Sequence, residues 1–157
     1  MKKSLFKLKN YEVHSVTSSF ENKFNANIIT WMMQSAMQGK YLAVALFKVD
    51  YTLELVKQSG ILNINFLAQD QANLINKLGR KSGRDTDKFK KLNYCLDERE
   101  CPFLNEAIGF IKCEVYEFAD SFDHEIVVCK VLGQKILNPD KEPLTINYLR
   151  EKGLVRG

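Results

Sequence analysis

The chain has 157 residues, of which 45% are hydrophobic and 27% charged, and a formal net charge of +4. That composition excludes a disordered or fibrous protein, and the length suits a single domain over residues 1–157 that builds its core without disulfides or metals. No apolar run approaches the roughly 20 residues needed to cross a bilayer, and the lysine-rich start, Met1 to Asn10, has neither the apolar stretch nor the cleavage site of a secretion signal, so a cytoplasmic protein is expected.

In chain order, "YEVHSVT" (Tyr11–Thr17) and "NIITWMMQ" (Asn27–Gln34) are rich in branched and aromatic residues and read as strands, with "SSFENKFNA" between them as a loop. "YLAVALFKV" (Tyr41–Val49) is nearly continuous in apolar residues, the pattern of a strand covered on both faces. Asp50 then supplies a helix N-cap and Gly60 a glycine stop around "YTLELVKQS". A strand, "ILNINFLA", follows at once, and Ala72, Leu74, Ile75 and Leu78 recur at helical spacing before Gly79. "CPFLNEAIG" predicts a proline-initiated turn into a brief helical segment. "FIKCEVYEF" and "HEIVVCKV" alternate as the two arms of a hairpin across "ADSFD". The tail from Asn138 is polar, with little core to offer. At least six strands with short connections and two inserted helices predict a mainly β fold, a small barrel decorated by helices.

The four cysteines are never two residues apart and only His14 and His124 could join them, so no metal site is expected. Cys113 and Cys129 lie in alternating apolar runs and read as small buried hydrophobes. Charge is uneven, because Lys77 to Lys91 holds seven cations against Asp85 and Asp87. Within it, "GRKSGRDTDKF" (Gly79–Phe89) combines two glycines, a serine and four cations. It allows a solvated turn, a nucleic-acid contact or a cradle for one small anion. For the last, glycines free the backbone amides, Ser82 offers a hydroxyl, and Arg84 and Lys88 bring charge. Nucleic acid is disfavoured, since the aromatics fall in predicted core strands and the net charge is low.

Two segments together resemble the flavin reductase-like family, whose members fold as an FMN-binding split barrel. The family's first motif, roughly Asn-Ala-Met-Thr-x-Ser-Trp, is matched by Asn25, Ala26 and Trp31. Thr30 stands in place of the serine, and Asn27 and Ile28 in place of the methionine and threonine. The second, Ser-Gly-Arg-Asp-x-Asp-Lys-Phe, is matched at every specified place by Ser82, Gly83, Arg84, Asp85, Asp87, Lys88 and Phe89. Thr52, Glu54 and Asn65 are in register between the motifs, and the resemblance runs from about Tyr11 to Leu132.

The resemblance implies a flavoprotein oxidoreductase, an NAD(P)H-dependent flavin reductase passing hydride through FMN, or alternatively a flavoredoxin-like carrier whose FMN is reduced by a protein partner. It also implies a homodimer. The flavin ring is then expected along the backbone from Asn25 through Ala26, Asn27 and Ile28 to Trp31, with Thr30 as a side-chain donor. Ser82, Arg84 and Lys88 are expected on the phosphate, helped by Lys48 and Thr52. Asn65 either bonds the ring or satisfies backbone, and Trp31 is either core or cofactor wall. Where many members carry Gly-Asp-His, a feature linked with nicotinamide handling, this chain has Phe122, Asp123 and His124. His124 is accordingly either a substrate contact or a polar residue opening a strand, and loss of the glycine leans toward the carrier.

Overall fold

The computed structural model describes residues 4–155, so Lys2 and Lys3 of the lysine-rich start lie outside the described residues. Seven strands make one antiparallel sheet: β1 (His14–Phe20), β2 (Lys23–Ala26), β3 (Met32–Gln34), β4 (Tyr41–Phe47), β5 (Ile61–Phe66), β8 (Gly109–Ser121) and β9 (His124–Ile136). Their order is β2-β1-β5-β8-β9-β4-β3, and a separate pair, β6 (Tyr94–Leu96) and β7 (Pro102–Leu104), covers part of it. The fold is mainly β with few helices, and free edges at β2 and β3 give the open form of the split barrel.

The β8–β9 hairpin joins two halves. Residues 109–114 of β8 pair with β5, residues 124–130 of β9 pair with β4, and register shifts near Cys113 and Glu117 let the long strands bend between them. Two helices frame the site. In α1 (Tyr51–Ser59), the Asp50 side chain accepts from the Thr52 amide at 2.9 Å, and Gly60 ends the helix in the left-handed region at φ 72°. A single 3₁₀ turn, Gln69–Gln71, precedes α2 (Leu74–Gly79).

Two apolar clusters hold this together. Val16, Val44, Leu46, Leu53, Leu62 and Cys129 belong to one, between the sheet and α1. Val13, Ala26, Leu74, Leu78, Phe89 and Leu144 belong to the other, under α2 and the basic loop. Each fully buried leucine contributes roughly 1.5–3 kcal/mol. Cys113 and Cys129 are buried thiols as expected, and the contact with Cys129 together with burial pushes the Cys113 thiol far up.

Several local expectations are corrected. "SSFENKFNA" is a tight hairpin, because Glu21 and Asn22 take φ 48° and 64° and reverse the chain without glycine. Asn27–Thr30 runs as an edge segment outside any strand, held to β1 by the Ile29–His14 bridge and by Asn27 on Val16. β4 is buried on alternate residues, so it has one covered face. Pro102–Leu104 is a strand rather than a turn into a helix, and Pro102 sits on β7 of a two-stranded pair where its missing N–H is tolerated. The tail supplies Leu144 and, from α3 (Ile146–Glu151), Leu149 to the second cluster. It docks through Leu144–Leu67 and Val13–Leu144 backbone bonds.

Candidate functional site

A cavity of about 250 Å³ opens where three segments meet: Asn27 and Ile28 beyond β2, Phe47 to Tyr51 at the entry to α1, and Leu78 to Gly83 at the exit of α2. The sequence brings them together through a few specific bonds. Asn25 is 1% exposed and its Nδ2 donates to Thr52 Oγ1 at 2.9 Å, tying β2 to α1. Asn27 accepts from the Val16 amide and donates to Asp50 Oδ2 at 2.8 Å. Gly83 packs directly on Asn25, where an added Cβ would lie 2.0 Å from Oδ1, so only glycine fits the loop here.

Lys88 lines the same cavity and is 4% exposed. Its Nζ donates to the Ala26 carbonyl at 2.8 Å and to the Leu78 carbonyl at 2.7 Å, so one ammonium joins the two sequence motifs. Burial lowers its pKa, and the nearby Asp50 carboxylate partly offsets that.

The backbone offers more donors. The amides of Asn27 and Ile29 donate to the Val16 and His14 carbonyls of β1 at 3.1 and 2.8 Å, and the His14 amide donates back to the Ile29 carbonyl at 2.9 Å. Alternation along an edge strand then turns the amides of Ile28 and Thr30 away from β1. Among the described residues neither has a partner, and the same holds for the amides of Lys81, Ser82 and Gly83 in the loop. Successive free amides in a turn form an anion-binding concavity.

The expected site residues divide. Asn27, Ile28, Ser82 and Lys88 line the cavity, while Asn25, Ala26 and Thr52 sit beneath it as its frame. Arg84 turns outward: its guanidinium bonds Glu54 at 2.6 Å and the Val49 carbonyl at 3.1 Å, and lies 5.2 Å over the Tyr51 ring. The Lys48 ammonium pairs with Asp120. Asn65 is fully buried and engaged by Ser15, Thr17 and the Leu104 amide, which is the backbone-satisfying alternative. Thr30 does not line the cavity. Trp31 is 53% exposed, so it is not core.

His124 sits between Trp31 and Phe47, with ring centroids 5.1 and 5.2 Å away, and its Nδ1 is 2.8 Å from Asp123 Oδ1. That hydrogen bond holds the Asp123 carboxyl below its ordinary range. Phe47 lines the cavity, so this aromatic group forms one side of its mouth. Sequence reasoning took Asp50 only as a helix cap and passed over Phe47, Tyr51, Arg80 and Lys81 as lining residues. Arg80 and Lys81 lay in plain sight within the basic loop, whereas nothing local marks Phe47.

Comparison with known proteins gives the same frame. The family model described as "Flavin reductase like domain" matches residues 9–152. A high molecular weight rubredoxin of Moorella thermoacetica is 27% identical over 143 residues, covering 90% of this chain and 62% of that protein. An FMN reductase (NADH) of Agrobacterium fabrum is 27% identical over 106 residues, covering 68% of this chain and 60% of that protein. The chain thus spans less than two thirds of the length of these two relatives. Nitrilotriacetate monooxygenase component B from Mycobacterium thermoresistibile superposes with a TM-score of 0.81 at 19% identity, over 90% of this chain and 78% of that one, and so shares the fold.

Proposed function

This chain belongs to the flavin reductase-like domain family, and on that premise we propose that it is a flavoprotein oxidoreductase that holds FMN at the cavity and passes hydride or electrons through it from a nicotinamide donor. The observation that carries this reading is Lys88. A buried ammonium with two of its three N–H groups fixed by carbonyls lines a cavity beside the free amides of Lys81, Ser82 and Gly83. This donor set suits a phosphomonoester. The Asp50 carboxylate on the same wall already accepts from Asn27 and Thr52, which limits its repulsion of an anion.

In this reading the outward amide of Ile28 would bond the flavin ring, and Ser82 and Lys88 would take the phosphate with Arg80 and Lys81 at the lip. Arg84 steadies Tyr51 and the loop from outside. Bound flavin supplies the hydride chemistry, which side chains lack. The protein orients it and leaves the Phe47–Trp31 side open to a donor. The exposed apolar residues Trp31 and Met33 beside the short edge strand β3 support a homodimer as their cover. We place the protein in the cytoplasm, where its four free cysteines remain thiols.

A second reading, a carrier whose FMN is reduced by a protein partner, is favoured by one observation. His124 is enclosed by Trp31 and Phe47 with its side chain 20% exposed, which leaves little imidazole for a nicotinamide. Purified protein mixed with FMN and gel-filtered should be yellow. Anaerobic bleaching by NADH or NADPH supports the reductase, and a yellow protein that ignores both supports the carrier. Protein that retains no flavin and does not quench FMN fluorescence overturns both.

A further inference from the structure

The cations of the basic loop fall into three groups. Lys88 is held inside by two carbonyls, with its remaining N–H left for the cavity. Arg84 is neutralised by Glu54. Lys77, Lys81, Lys90 and Lys91 have no acidic partner among the described residues. The Lys77 ammonium donates to the Lys90 carbonyl at 2.7 Å, which ties the helix end to the loop end. Arg80 adds a further charge there, donating to the Leu154 carbonyl at 3.2 Å. The acidic residues of the loop lie elsewhere: Asp85 and Asp87 border a neighbouring cavity with Arg84 and Lys23.

The mouth of the flavin cavity therefore has two unlike rims. Arg80 and Lys81 form a basic rim, with Lys77, Lys90 and Lys91 on the segments that flank it in sequence, while Phe47 and Val49, 45% and 65% exposed, form an apolar one. One small anion does not use so many outward charges, and Lys88 with the loop amides already serves it. A broad basic face beside a short apolar contact is what a transient electron-transfer encounter uses, since such interfaces are small and rely on charge for orientation.

We propose that Lys77, Arg80, Lys81, Lys90 and Lys91 form a docking face for an acidic electron-transfer protein, which brings its redox centre over the apolar rim to the flavin. The proposal rests on the FMN reading above only for the electron's destination; the docking itself does not. Electrons balance simply. Each one-electron carrier is oxidised once, and two such encounters, with two protons from water, reduce one bound flavin.

The probe is a plant-type ferredoxin, an acidic iron–sulfur protein. Its binding to the flavin-free protein, measured by titration calorimetry at low salt, needs no cofactor and so stands apart from the FMN reading. Binding should weaken at least about tenfold when ionic strength is raised toward 1 M, where screening shortens to about 3 Å. Lys90→Glu/Lys91→Glu should weaken it by a similar factor while the variant keeps its thermal midpoint and its FMN affinity. With FMN bound, anaerobic bleaching by reduced ferredoxin should slow in parallel, and bleaching by dithionite should not. No binding at low salt, or binding indifferent to salt and to the charge reversal, overturns the docking face. Equal affinity for a single-stranded oligonucleotide also overturns it, in favour of an unselective polyanion site.

Discussion

Gly83 and Asn25 touch so closely that a methyl group on the glycine would stand 2.0 Å from the Asn25 carboxamide oxygen. The basic loop is therefore seated on β2 by a contact that tolerates no side chain. Gly83→Ala must push Asn25 off Thr52 or lift the loop. We expect a loss of about 1–3 kcal/mol in denaturant unfolding and weaker FMN binding in a fluorescence titration.

Lys88 and Arg84 should behave differently, although both are cations of one motif. Lys88→Met removes a charged donor from the cavity and should weaken FMN about tenfold or more beyond any effect on riboflavin, since a hydrogen bond to a charged group is worth about 1.5–3 kcal/mol. Arg84→Met should weaken the two flavins alike, because its guanidinium bonds Glu54 and Val49 rather than lining the cavity. Parallel titrations of both flavins decide this.

Ile28 tests the backbone. Its amide has no partner among the described residues, so Ile28→Pro removes a donor that the fold does not use. The side chain also packs on Gly79, so Ile28→Ala is the control. The proline variant should unfold close to the alanine variant and bind flavin several-fold more weakly.

His14 predicts a pH response. Burial lowers its pKa to about 4 although Glu12 opposes the shift, and its Nδ1 has no partner. The unfolded chain binds a proton near pH 6.5 and the folded protein does not. Stability from this residue is thus complete above about 6.5 and lost as pH falls toward 4, by up to about 3 kcal/mol at about 1.36 kcal/mol per pH unit. Unfolding free energies at pH 7 and pH 4.5 should differ less in His14→Leu than in the wild type by most of that amount.

Asp97 anchors the small β6–β7 pair. It is half-buried beside Arg99, and although burial raises its pKa, the bonds it accepts from the Arg99 guanidinium, from Asn63 and from the amides of Cys101 and Arg99 outweigh that and hold its carboxyl below the usual range. Asp97→Ala leaves Arg99 without its counter-charge and the amides of Arg99 and Cys101 without an acceptor, and should cost about 1–3 kcal/mol, read as a lowered denaturation midpoint. Asp97→Asn should recover part of the loss.

Legibility from the sequence followed the range of the chemistry. The α1 helix was plain because Asp50 and Gly60 act within a turn of themselves. Seven matched positions from Ser82 to Phe89 disclosed the family and with it the fold. The hairpin at Glu21–Asn22 was hidden because its left-handed turn carries no glycine. Where Arg84 goes depends on Glu54, thirty residues earlier, and the worth of the tail depends on Leu144 reaching Leu67 and Val13. Neither distance is written in a local pattern. Trp31 misleads for a related reason, since a lone tryptophan near a strand usually faces inward, and only the short β3 edge leaves it out.

The double grip of Lys88 on Ala26 and Leu78 has a thermodynamic corollary. It staples the loop to the barrel before any ligand arrives, so little ordering entropy is left to be spent on association. Hydrogen exchange of the bonded loop amides of Asp85, Thr86 and Phe89 should accordingly change little on saturation, whereas the free amides of Lys81, Ser82 and Gly83 should exchange fast until FMN covers them, with affinity changes between variants appearing in dissociation rates.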